Sequence, residues 1–169
     1  MHHPPFTYAR EKGRSFSFLG TLMTLKAGGS QTNGQFSLIE QLLPPGFATP
    51  LHMHHSEDEA FYILEGAFLF FVGNEVLHVE PGAFVFLPRD VPHAFRVEGD
   101  APARLLQLTA PAGLEQGFIE MGEPTTQLNL PPPYTPTPDE VGQMAAVSAK
   151  YHVEQLGPPP EQLWSVNSR

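Results

Sequence analysis

The chain has no cysteine in 169 residues, which excludes disulfides, thiolate metal sites and cysteine nucleophiles. Basic residues are scarce, with 9 Lys and Arg against 18 Asp and Glu, a formal charge of −9. Such a balance offers no basic patch, so neither nucleic acid nor an anionic membrane is expected as a partner. Charged residues make up only 16% of the chain and hydrophobic ones 41%, which excludes a disordered polyelectrolyte. Long apolar runs are missing too. The longest, residues 67–72, is far too short to cross a bilayer, and the first residues, MHHPPFTYAREKGR, hold no apolar core of signal-peptide length. The expectation is a soluble, cytoplasmic protein with one ordinary-sized domain.

What is abundant is phenylalanine, 13 residues, and it falls where strands are expected. Residues 1–14 read as an irregular arm, with Phe6 and Tyr8 available to pin it to the body. Residues 15–27 alternate as a strand ending at Gly28-Gly29, and residues 35–43 form another after the Asn33-Gly34 turn. Between 47 and 109 short apolar segments recur at near-regular spacing: HMHH, AFYILE, AFLFFV, EVLHV, AFVFL, HAFRV and ARLLQLT. Each is closed by Gly, Pro, Asn or Asp. Many short strands punctuated this way predict an all-β sandwich or barrel.

The period changes after Gly113. Leu114, Phe118 and Met121 lie on one helical face, which predicts a short helix over LEQGFIEM at the end of a barrel domain spanning 15–122. Residues 123–169 read as a proline-rich linker and a C-terminal helix that packs on the barrel or on a partner subunit. Thr137 supplies its N-cap, Pro138 its first position and Glu140 a capping box. The helix is expected to run to about Tyr151, with Gly157 and the following prolines stopping anything further.

Residues 46–66, GFATPLHMHHSEDEAFYILEG, carry the chemistry, together with residues 82–93, GAFVFLPRDVPH. They offer His52, His54 and Glu59, with His93 as a fourth. Imidazole nitrogen and carboxylate oxygen suit a divalent first-row metal, here Fe, Ni, Co, Mn, Cu or Zn, one ion per subunit. On a strand His52 and His54 point to one face, whereas Glu59 has the opposite parity, so a break near His55-Ser56-Glu57-Asp58 must reset the phase. Glu57 and Asp58 stand beside Glu59 as competing carboxylates and otherwise read as a solvated turn. His55 is expected to face away, and His78 and His152 to be ordinary surface histidines. Phe61, Ile63, Phe84, Phe86 and Phe95 are candidates to line an apolar cavity around the metal, with simple barrel core as the competing assignment.

The spacing resembles the two sequence motifs of the cupin superfamily. Gly46, His52, His54, Glu59 and Gly66 match the first motif at every fixed position, and Gly82, Pro88 and His93 match the second. Asp90 stands where that family usually has Gly, and Val97 where it often has Asn. The resemblance implies a double-stranded β-helix (jelly-roll) barrel with the metal inside, held by His52, His54, Glu59 and His93. Flanking residues, covering about 15–156, are similar to single-domain bacterial quercetin 2,3-dioxygenases. That likeness implies ring cleavage of a small aromatic flavonol by O2 with release of carbon monoxide, Glu59 taking the substrate hydroxyl proton, and a homodimer. An isomerase or decarboxylase using the metal as a Lewis acid, or a non-catalytic metal-containing binding module, remain the alternatives, because one barrel hosts many chemistries.

Overall fold

The computed structural model describes residues 4–10 and 12–161, so residues 1–3 and 11 of the arm and 162–169 of the tail lie outside the described residues. Two antiparallel sheets face each other as a jelly-roll barrel. The first contains β1 (Arg14–Phe18), β2 (Thr21–Ala27), β3 (Ser37–Leu43), β5 (Asp58–Glu65), β8 (Phe84–Leu87), β10 (Ala103–Ala110) and the two-residue β11 (Glu123–Pro124), in the order β11-β1-β2-β3-β10-β5-β8. The second runs β12-β4-β9-β6-β7, built from β4 (Leu51–His54), β6 (Ala67–Val72), β7 (Glu75–Val79), β9 (His93–Glu98) and β12 (Val153–Gly157). Among the described residues three helices complete it: α1 (Gly29–Thr32), α2 (Leu114–Met121) and α3 (Pro138–Lys150). Among the described residues, no helix is long and apolar enough to cross a membrane.

Strands expected from alternation form because their apolar residues meet between the sheets. Phe61, Ile63, Val85, Leu87 and Leu105 of the first sheet pack against Phe68, Phe70, Phe95 and Val97 of the second. The Phe61 ring stands 5.3 Å from Phe70 and 5.6 Å from Phe95, spacings typical of tilted and edge-on aromatic pairs. Gly66, the last fixed residue of the first motif, turns the chain from β5 to β6 at φ +79°. A Cβ there would stand 2.6 Å from that of Ala103, so both backbone conformation and space demand glycine.

Four expectations need correction. The segment 15–27 is a hairpin, because Leu19 and Gly20 both take positive φ (50° and 77°), the geometry of a tight turn between β1 and β2. The tail holds more than a linker and a helix: β12 follows α3, adds to the second sheet beside β4 and ends at Gly157. Phe6 and Tyr8 remain about half exposed and meet edge to face at 5.7 Å, while the exposed Arg10–Glu65 pair and a hydrogen bond from Lys26 Nζ to Lys12 O tie the arm. Phe84 and Phe86 point outward on the edge strand β8, 65% and 54% exposed, because its alternation turns Val85 and Leu87 inward. Cross-strand registry sets Phe84 beside Tyr62 and Phe86 beside Ala60, with Leu106 and Leu108 next on β10, so one outer face of the barrel is apolar.

The tail follows its caps closely. Thr137 Oγ1 accepts the Glu140 N–H while the Glu140 carboxylate accepts the Thr137 N–H at 2.7 Å, and α3 then runs to Lys150. Lys150 Nζ and Tyr151 Oη both donate to Glu120 of α2, at 2.6 and 3.0 Å. The two helices thereby lie over one mouth of the barrel.

Candidate metal centre

Both sheets contribute to the site. His52 and His54 project inward from β4, and His93, the first residue of β9, pairs directly with His52. Glu59 comes from the facing sheet as the second residue of β5. The chain bends between these strands at His55-Ser56-Glu57, which resets the side-chain phase as the parity argument required. That bend is pinned. Asp90 N–H donates to His54 O at 2.8 Å and His55 N–H to His152 O at 3.0 Å. Asp90 takes φ +61°, the left-handed conformation that glycine would adopt more easily, and its carboxylate accepts from His55.

One ligand atom from each of His52, His54, Glu59 and His93 lies within 4.8 Å of all the others, so the cluster can hold a metal ion. Glu59 Oε2 stands 3.3 Å from His93 Nε2 and 3.7 Å from His54 Nε2. The histidine tautomers follow from their outer partners. His52 Nδ1 lies 2.8 Å from Pro50 O and His93 Nδ1 2.9 Å from Val91 O. A carbonyl only accepts, so each Nδ1 carries the proton and each Nε2 keeps its lone pair. His54 Nδ1 lies 2.7 Å from Glu57 Oε1, which sets the same tautomer. Among the described residues, the Nε2 atoms of His54 and His93 are buried and make no hydrogen bond. A buried nitrogen lone pair without a donor is costly, and a cation at the cluster would satisfy both.

The three adjacent acids prove to have three different partners. Asp58 faces Arg89, whose guanidinium and backbone N–H hold it at 2.9–3.1 Å and bring its pKa down to about 2. Glu57, read as part of a solvated turn, is only 3% exposed and orients His54; its position three residues after a ligand histidine was the available signal. Glu59 alone reaches the cluster. Burial works against its ionisation, while the imidazoles of His54, His93 and His52, when protonated, favour it and bring its pKa down to about 2. Burial and the neighbouring His93 and His54 depress the His52 pKa to about 4, favouring the neutral imidazole that a metal requires.

A cavity of about 430 Å³ opens above these residues, within the range of small-molecule sites. Its walls include Phe47, Phe61 and Phe95, and its roof Phe118 and Met121 of α2 with Met144 and Val147 of α3. Of the expected pocket residues Phe61 and Phe95 are therefore present; Ile63 is fully buried core, and Phe86 lies on the outside of the barrel. The sequence reading missed Gln41 and Gln107, buried polar residues on the inner face of β3 and β10 that line the same cavity. His55 is an exposed bystander between Asp90 and Glu154, and His78 an exposed partner of Glu98.

A two-sheet barrel with an inward His3Glu cluster defines a jelly roll whose interior can hold a metal ion. Residues 39–109, which include both motifs, match the Cupin domain family. It is 36% identical over 75 residues to an uncharacterized protein of Methanocaldococcus jannaschii, covering 44% of this chain and 60% of that one. It is 26% identical over 119 residues to a quercetin 2,3-dioxygenase of Bacillus subtilis, covering 69% of this chain but 35% of that one. The chain thus spans less than two thirds of either relative. Among solved structures, KdgF from Halomonas sp. superposes with a TM-score of 0.58 at 17% identity, over 67% of this chain and 98% of that chain, a likeness of fold alone.

Proposed function

We propose that this protein is a metal-dependent dioxygenase that opens the ring of a flavonol or related aromatic enol with O2, releasing carbon monoxide. The observation that carries this reading is the cavity itself. It combines a His3Glu floor with aromatic and methionine walls, so that a flat aromatic molecule can bury its rings and direct an acidic hydroxyl at the cluster. Similarity to the Bacillus subtilis dioxygenase supports the same choice. His52, His54, His93 and Glu59 would hold one divalent transition-metal ion per subunit, which when bound would supply Lewis acidity and electronic access to O2. Glu59, which lines the cavity, accepts the hydroxyl proton, while Phe61 and Phe95 hold the rings. The roof of α2 and α3 keeps water from the activated substrate.

The test is loading the chain with Fe, Ni, Co, Mn or Cu in turn, adding quercetin in air, and following its visible absorption. Loss of absorption that requires both metal and O2 is expected with at least one ion. Metal dependence without O2 dependence would redirect the reading to an isomerase or decarboxylase. A spectral shift without turnover would redirect it to a binding module.

We further propose a homodimer formed through the outer face of β8, β5 and β10. Phe84, Phe86 and Tyr62 lie exposed there beside Leu106 and Leu108, an apolar patch of the kind that marks association surfaces. Light scattering is expected to give about twice the mass of one chain. The pair Phe84→Asp and Phe86→Asp is expected to give a single-chain mass, since buried unpaired charge opposes association. A monomeric wild type would rule the dimer out.

A further inference from the structure

Gln41 of β3, Gln107 of β10 and Glu59 of β5 form a diagonal line across the inner face of the first sheet. Both amides are buried beside Met23, Ile39, Phe61 and Leu105, where an unpaired amide would be costly. Their hydrogen bonds run one way. Gln107 Nε2 donates to Glu59 Oε1 at 2.5 Å, and Gln41 Nε2 donates to Gln107 Oε1. The direction is imposed from one end: an ionised carboxylate only accepts, so Gln107 must present its amide N–H to Glu59 and its carbonyl to Gln41. Glu59 Oε1 is occupied in this way, while Oε2 faces His93 and His54.

We propose that Gln107, backed by Gln41, is the positioning residue for Glu59, dividing its two oxygens so that Oε1 is anchored to the sheet and Oε2 is presented to the metal. The inference rests on the metal reading of the His3Glu cluster. A glutamate side chain has several rotamers to lose on ordering, and hydrogen bonds to a ligand's outer atom are what hold a flexible carboxylate ready for a cation. Gln41 acts at one remove, since it touches Gln107 and its role is to keep that amide from turning over.

The experiment measures Co(II) binding to the whole chain by chelator competition and by visible absorption of the bound ion. Gln107→Leu is expected to weaken Co(II) binding about 10- to 100-fold and to alter the absorption bands, as the carboxylate no longer holds its place. Gln41→Leu is expected to weaken it less, and the double variant to match Gln107→Leu alone, because both act through one chain of hydrogen bonds. If Gln107→Leu fails to fold, Gln41→Leu still carries the test, because it keeps the Gln107 side chain but removes the donor that fixes its amide toward Glu59. Wild-type binding with unchanged affinity and bands in the variants overturns the proposal alone. So does strict additivity of the two substitutions. A wild type that takes up no Co(II) overturns the metal reading and this proposal with it.

Discussion

Glu59→Gln is expected to leave the fold intact and to lower flavonol turnover about 10²- to 10⁴-fold, the usual range for loss of a positioned acid or base. The amide is nearly isosteric with the carboxylate, and its carbonyl can still accept the hydrogen bond that Gln107 donates to Oε1. The charge and the basicity are what disappear. Burial alone would favour the neutral acid, while protonated imidazoles of His54, His93 and His52 favour the carboxylate and bring its pKa down to about 2. An amide cannot respond to those neighbours, nor can it take a hydroxyl proton from substrate. Single-turnover absorption of quercetin, together with thermal melting of both proteins, separates the two effects. An unchanged melting curve with turnover lost supports the role; full activity in the variant would remove Glu59 as proton acceptor.

His93→Ala is expected to abolish stable metal binding, with a loss greater than the 10- to 100-fold typical of residues that merely support a ligand. His93 sits opposite His52 at the start of β9, and its ring lies parallel to that of His54, 5.2 Å away. Its Nε2 is buried without a hydrogen bond among the described residues, so the variant removes a ligand atom that nothing nearby can replace. Metal content after dialysis, and affinity by chelator competition, measure this without reference to any substrate. His55→Ala supplies the contrast. That side chain is exposed and turned toward Asp90 and Glu154, so the variant is expected to bind metal as the wild type does. Equal metal affinity in His93→Ala would refute the ligand assignment.

The His3Glu cluster was legible because its rules are local. A two-residue spacing puts His52 and His54 on one face, a polar bend resets the phase for Glu59, and glycines mark where strands end. The same logic placed Thr137 as a helix cap. It worked less well where the local signal was weak. Leu19 gave no hint of a positive φ, since leucine seldom adopts one, and the β1–β2 hairpin was read as one strand. Strand β12 was invisible for a different reason. An edge strand can form through backbone pairing alone, and of its residues Val153 alone is buried.

Sequence by itself thus pointed to the class of barrel, to His52, His54, Glu59 and His93 as candidates for one cluster, and to the capped C-terminal helix, because strand alternation, cap residues and motif spacing are written along the chain. Only tertiary structure decided what surrounds them. Alternation identifies two faces of a strand but not which one meets the core, so Phe86 went outward and Phe61 inward. Composition could not distinguish Glu57, Asp58 and Glu59, because His54, Arg89 and the remaining histidines that sort them come partly from another strand and loop. Gln41, Gln107 and Glu59 stand on three strands far apart in the chain, and their meeting depends on sheet register, which no local signal specifies.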